Sequence, residues 1–241
     1  MEQTMAASYD VARWFDQCGS IQPGSKCILQ AIAGSHAYGL ATPDSDEDRL
    51  GVFVVPTETL LGIFQPAETV DRRDPDICFH EVGKFVRLAL KANPTIMELL
   101  FLDEYELLTP IGEQIIGQRD AFLSQRISAS YGGYALSQIR RLQKRGDGEF
   151  SSKRKGRYSK HARHCFRLLQ QGKELLETGV ITVKVPNPKE LLALGELPPV
   201  QLAEKFEEEF GKHKTVESIL PEEPDYDRVN ELLLRIRRAC L

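Results

Sequence analysis

Residues Gly34 to Asp48, GSHAYGLATPDSDED, lie between two apolar runs, KCILQAIA (Lys26–Ala33) and the branched stretch that closes DEDRLGVFVV (Asp46–Val55). Apolar runs of this length, ended by Gly34-Ser35 and by Pro56, are buried strands, so a polar and acidic connection must be carried between two core elements. Side chains two apart in a strand share a face, which sets the carboxylates of Asp46 and Asp48 together and turns Glu47 away. Two like charges so placed call for a cation. A hard divalent ion suits them, Mg²⁺ first and Mn²⁺ as the alternative, because it accepts a few carboxylates and keeps positions open for phosphate oxygens and water. Gly34 lets the backbone approach a phosphate closely, and Ser35 adds a hydroxyl at the start of a short helix over His36–Leu40. These are the parts of a nucleoside triphosphate site.

Taken singly, a Gly-Ser after a strand is usually a turn and a D-x-D is usually surface charge. Here they are joined by a linker of ten residues, His36 to Ser45, and each adjoins an apolar strand. A weaker strand is expected over Asp76–Val82, and from Gly83 the period changes to that of helices, interrupted at Asn93-Pro94 and resumed over Thr95–Phe101. Asn93 can cap that second helix and Pro94 suits its first turn, which leaves both, with Glu98, outside the chemistry. Beyond Thr109-Pro110 helical runs follow at Ile111–Gly117, Ala129–Lys144, Tyr158–Glu177 and Tyr226–Cys240, and Val180–Val185 reads as a small hairpin or edge strand. A short helix over Ala6–Cys18 precedes the first strand, with Trp14 as a core or domain contact. The expectation is an α+β fold in which a palm-like, mixed-sheet domain (1–108) precedes a mainly α-helical domain (109–241).

The combined pattern resembles that of the polymerase beta superfamily of nucleotidyltransferases. Within it, G-S-H-A-Y-G, then S-D-x-D-x-x-G-V-F-V-x-P, then K-F-x-R-L-A-L-K-A-N-P-T-x-x-E-L-L over Gly34–Leu100, with a weaker H-x-x-R-L-L at His164–Leu169, is similar to bacterial and phage members, some encoded beside RNA-repair ligases. The resemblance implies that Asp46 and Asp48 hold two metal ions and that a third acid on a neighbouring strand completes the catalytic one. Asp76, heading D-I-C-F, is the choice for that acid, with Asp71 and Glu81 as competitors. The implied reaction is transfer of an NMP from an NTP, such as ATP, to an acceptor hydroxyl with release of pyrophosphate. The chain departs from the pattern at Tyr38, where related minimal nucleotidyltransferases often carry Arg.

The net charge of −4 excludes a protein coated in basic groups for indiscriminate nucleic-acid binding, so any basic site is local. One exists between Arg140 and Arg167, where the loop Gly146–Gly156 would meet a polyanion and Lys160, His164 and Arg167 lie on successive helical turns facing the triphosphate. This tilts the acceptor towards an RNA end over a protein hydroxyl or a small molecule. The blander reading is a solvated face balanced by the acids of Glu204–Glu209. His161 and His164 lack the third ligand that zinc needs. Five cysteines without a C-x-x-C pair suggest reduced thiols, and the lack of a signal peptide or a membrane span suggests the cytoplasm. Two rival readings keep the same residues: a non-catalytic nucleic-acid or partner-binding module, and a metal-dependent phosphohydrolase.

Overall fold

The computed structural model describes residues 23–43, 45–63, 65–143 and 152–241. The expected Ala6–Cys18 helix, with Trp14, and most of the Gly146–Gly156 loop lie outside them. Strand β1 (Lys26–Ile32) buries Ile28, Leu29 and Ala31 and pairs antiparallel with β2 (Arg49–Val54), with Ile32 opposite Arg49 and Lys26 opposite Val54. The second strand opens at Arg49, later than expected, so Asp46 and Asp48 occupy the segment leading into it. Strands β3 (Thr69–Arg73) and β4 (Asp76–Glu81) form a hairpin around Asp74-Pro75, and β4 lies parallel to β2. A two-residue β5 (Leu107–Leu108) completes the order β3-β4-β2-β1-β5. The fold is α+β on a mixed sheet, as expected. Neither β3 nor β5 was legible: TVDRR has one buried apolar residue, Val70, and β5 is too short to show a period.

The helices are α1 (Gly34–Ala37), α2 (Thr57–Leu61), α3 (Val82–Ala89), α4 (Pro94–Leu100), α5 (Pro110–Ile116), α6 (Arg126–Gln143), α7 (Ser152–Thr178), α8 (Pro188–Leu194), α9 (Pro199–Lys214) and α10 (Tyr226–Ala239), with a 3-10 turn at Arg119–Phe122. Asn93 caps α4 as expected, its side chain accepting from Ile96 N at 3.3 Å with Pro94 in the first turn. The acidic run Glu204–Glu209 belongs to a helix that the sequence reading passed over. In α9, Leu202, Phe206 and His213 face inward, while Lys205 and Lys212 bridge Glu208 and Glu209 on the solvent side.

Val180–Val185 is a correction, since it forms no strand. Its period of two is real, with Ile181, Val183 and Val185 buried and Thr182 and Lys184 exposed, but its backbone N–H groups find other partners. Thr182 N donates to Glu174 Oε2 at 2.9 Å and Val185 N to Tyr38 O at 3.1 Å.

Both parts of the chain share one apolar core running from Ile28 to Ile236. The β1 register shifts between Cys27 and Leu29, and the Ile28 carbonyl there accepts from Thr109 N at 3.0 Å and Thr109 Oγ1 at 2.9 Å. Thr109 in turn caps α5, and a Cβ on Gly112 would lie 2.4 Å from Ile28 O, so α5 is seated directly on β1. The C-terminal α10 returns to the sheet. Arg237 donates to both carboxylate oxygens of Glu81, at 2.5 and 2.8 Å, and Glu81 also accepts from Gly83 N at 2.7 Å to cap α3. Glu81 is 4% exposed in its side chain, so removing its cation leaves an uncompensated buried charge. Arg237→Ala is expected to destabilise the fold by about 3 kcal/mol in chemical denaturation, and an Arg237→Leu/Glu81→Leu double variant to recover part of that loss.

Candidate active site

The antiparallel β1–β2 ladder extends one step beyond β1, with Ala33 N donating to Asp48 O at 2.8 Å. This step lays the Asp48 side chain against Gly34. A Cβ on Gly34 would sit 2.0 Å from Asp48 Oδ2, and the backbone there has φ of 63°, a conformation that glycine adopts without strain. The sequence reading gave Gly34 to phosphate, and the structure adds a prior reason for it: the carboxylate needs the space. The parallel β2–β4 pair then brings up Asp76, the acid expected to be the third. Arg49 is opposite Ile77, so Asp48 and Asp76, each one residue earlier, come together, and the charge of Asp76 bears on Asp48. Burial, then the charges of Asp76 and Asp46, raise the proton affinity of Asp48, and Lys160 opposes the rise.

The other candidates for the third acid lie further along the β3–β4 hairpin. Glu81, at the far end of β4, is held by Arg237, while Asp71 on β3 lies opposite Cys78 and influences that thiol. Among the described residues no three His, Cys, Asp or Glu side chains form a ready-made metal cluster. The pair Asp48–Asp76 with Asp46 in electrostatic reach still fits a hard cation, since adjoining carboxylates share either a proton or a positive ion. Asp46 is exposed and would have to close on that pair.

The spacer between glycine and aspartate is itself organised. Thr42 N donates to Ser45 Oγ and Ser45 N to Thr42 O, both at 2.9 Å, and His36 Nε2 donates to Ser45 O at 3.3 Å. Ser35 O accepts from Leu40 N at 2.9 Å, while its hydroxyl has no protein partner among the described residues. Below the turn, Tyr38 Oη donates to Glu98 Oε2 at 2.6 Å.

Glu98, left outside the chemistry in the sequence reading, has a structural part that the reading did not foresee. It is 4% exposed on α4 and forms an ion pair with Arg167 of α7, which is 3% exposed. The Arg167 guanidinium lies 3.6 Å from the centroid of the Tyr38 ring, donates through Nη1 to Gln171 Oε1 at 2.7 Å, and through Nη2 to His164 Nδ1 at 2.9 Å. Arg167, expected to face the triphosphate, is buried here, with Nη1 and Nη2 directed at Glu98, Gln171 and His164. A signal existed: an acid amid P-T-I-M-E-L-L, flanked by apolar residues on a short helix, must be buried and so must have a cation.

Arginine only donates, so His164 Nδ1 accepts and Nε2 carries the proton. Burial first, then the positive charge of Arg167, hold His164 down at about 3, so the ring is neutral and offers an N–H. Lys160, exposed one turn earlier, extends the same helical face to Asp48. His161 is turned to α6, donating from Nδ1 to Gln138 Oε1 at 2.9 Å, and does not join His164.

The sequence model that matches most of this chain sets it in the polymerase beta class. The chain belongs to RlaP, the RNA repair pathway DNA polymerase beta family, whose sequence model matches residues 7–235. It is also similar to the nucleotidyltransferase-like protein of Exiguobacterium sibiricum 255-15, at 13% identity and a TM-score of 0.29 over 96% of this chain and 72% of that one. No match was found among curated proteins. No helix among the described residues is long and apolar enough to cross a membrane.

Gly34→Ala is expected to push the Asp48 carboxylate aside, costing about 1 kcal/mol or more of stability and about 100-fold in any activity that depends on Asp48, read by denaturation and turnover. His164 gives a pH prediction. Its imidazole titrates near 6.5 when unfolded and at about 3 when folded, so between these values the unfolded chain binds more protons and stability falls as pH drops. Melting temperatures measured from pH 7 to pH 4 should fall less steeply in His164→Asn than in the parent.

Proposed function

We propose that the chain is a metal-dependent nucleotidyltransferase that transfers an NMP from an NTP to an acceptor hydroxyl, with an RNA end as the preferred acceptor. The observation that carries this reading is the meeting of Asp48 and Asp76 across the parallel β2–β4 pair, against Gly34 and with Asp46 in electrostatic reach. Asp46, Asp48 and Asp76 would hold Mg²⁺ or Mn²⁺, which when bound neutralises triphosphate charge and acidifies the attacking hydroxyl. The protein's own groups do the positioning. Gly34 and Ser35 present backbone and hydroxyl to the phosphates, and Lys160 brings a cation to the same place. The neutral His164 donates an N–H without adding a second charge beside Arg167. The acceptor oxygen forms a bond to the α-phosphorus, the bond from that phosphorus to the bridging oxygen breaks, pyrophosphate leaves, and the hydroxyl proton passes to solvent or to a carboxylate.

An RNA acceptor is supported by the family's description and by the local excess of Lys and Arg between Arg140 and Arg167 in an acidic chain. Incubation of the full chain with each α-labelled NTP and Mg²⁺ or Mn²⁺, with and without RNA, tests the reading. Label is expected on the acceptor with the parent protein, and a loss of about 1000-fold or more with Asp48→Asn or Asp76→Asn, both retaining the parent's melting behaviour. Release of labelled nucleotide without transfer would instead indicate a phosphohydrolase, and no turnover a binding module.

A further inference from the structure

At the end of the sheet where the acids meet, the strand pairings bring four strand ends into one row. Strand β1 runs out through Ala33 into Gly34 and Ser35, β2 is entered through Asp48, β4 opens at Asp76 and β3 closes at Arg73. The strands lie in the order β3-β4-β2-β1, so the row reads Arg73, Asp76, Asp48 and Gly34. At about 4.8 Å for each strand interval, it is about 14 Å across. Arg73 is directly opposite Asp76 in the antiparallel β3–β4 register, and residues so paired project from the same face. Cys78 lies on that face too, its thiol under the influence of Asp71, Lys84 and Asp76. Arg72, opposite Ile77, belongs to the other face.

Arg73 is exposed, and its guanidinium has no hydrogen-bond or ion-pair partner among the described residues, although its cross-strand neighbour is an acid. Arg49, Arg87, Arg167 and Arg237, by contrast, each meet a carboxylate. With a metal ion on Asp76, Arg73 stands as one positive group beside another, and an anion laid over it relieves both. In-line displacement puts the incoming oxygen and the leaving pyrophosphate on opposite sides of the α-phosphorus. Gly34 and Ser35 stand at the β1 end of the row and Lys160 acts on Asp48, so the leaving phosphates belong at that end. The acceptor then enters over Asp76 and Arg73. A bare hydroxyl gives a guanidinium no charge to neutralise, whereas a phosphate next to the hydroxyl offers two oxygens to its planar fork.

We infer that Arg73 holds the phosphate nearest the reacting hydroxyl of the acceptor, the last phosphodiester of an RNA end, and so sets that hydroxyl over Asp76. The inference rests on the nucleotidyltransferase reading and adds to it the end of the row at which the acceptor lies and the residue that holds it there.

The test follows label from an α-labelled NTP, with the full chain and Mg²⁺, onto three acceptors: an RNA oligonucleotide, the same oligonucleotide with an uncharged methylphosphonate as its last linkage, and a nucleoside 5′-monophosphate. In the parent the methylphosphonate is expected to lower kcat/KM by about 10-fold or more, the worth of a charge-assisted hydrogen bond. Arg73→Gln is expected to lower kcat/KM for unmodified RNA by a similar factor and to treat the two oligonucleotides alike, as two changes at one contact do. Its KM for the NTP should stay within about 2-fold of the parent's, and its melting temperature should match. An equal methylphosphonate penalty in parent and variant overturns the contact, as does a loss shared with the KM for the NTP, or no loss; each leaves the nucleotidyltransferase reading standing. Transfer to the monophosphate as fast as to RNA, and equally reduced by Arg73→Gln, overturns the RNA end as the source of the phosphate. Label on the protein alone overturns the contact and keeps NMP transfer, and no transfer at all overturns both readings.

Discussion

The buried ion pair between Glu98 and Arg167 is the interaction on which the candidate site depends. One carboxylate accepts from Arg167 on α7 and from Tyr38 in the turn after β1, so it ties α4, the long helix and the glycine-serine segment together. Two charges so far from water repay their desolvation only when their hydrogen-bonding capacity is filled, and here Gln171 and His164 help to fill it. The filling has a directional result. Because Arg167 can only donate, it fixes the His164 ring with its proton on Nε2 and the Gln171 amide with its NH₂ unspent.

The second constraint is the parallel pairing of β2 with β4 inside an otherwise antiparallel sheet. It aligns the beginnings of two strands, and each strand is preceded or opened by an aspartate, so Asp48 and Asp76 meet at one edge. An antiparallel arrangement of the same strands would place Asp76 at the opposite end, where Glu81 now sits with Arg237. Gly34 completes the arrangement by leaving the carboxylate room.

Much of this was legible in the residues. The apolar runs gave β1 and β2, D-I-C-F gave β4, and the 3.6 period gave α6, α7 and α10, since burial on one face imprints itself on the sequence. Lys160, His164 and Arg167 were recognisable as one helical stripe. What stayed hidden had weak or misleading local signals. Thr69–Arg73 pairs through its backbone with almost no apolar pattern, and the acids of Glu204–Glu209 masked a helix whose inward residues are few. The alternation of Val180–Val185 suggested a strand, yet its N–H groups are taken by Tyr38 and Glu174.

The sequence alone determined that Gly34, Ser35, Asp46 and Asp48 stand in one connection between two strands, because strand period and turn chemistry are local properties that a few neighbouring residues fix. Tertiary structure decided which distant acid meets Asp48, that Glu98 pairs with Arg167, and that Gln171 and Asn187 come to line one cavity. Those outcomes depend on strand direction and on which side chains are removed from water together. Both are set by the packing of elements far apart in the chain, and no local pattern encodes them.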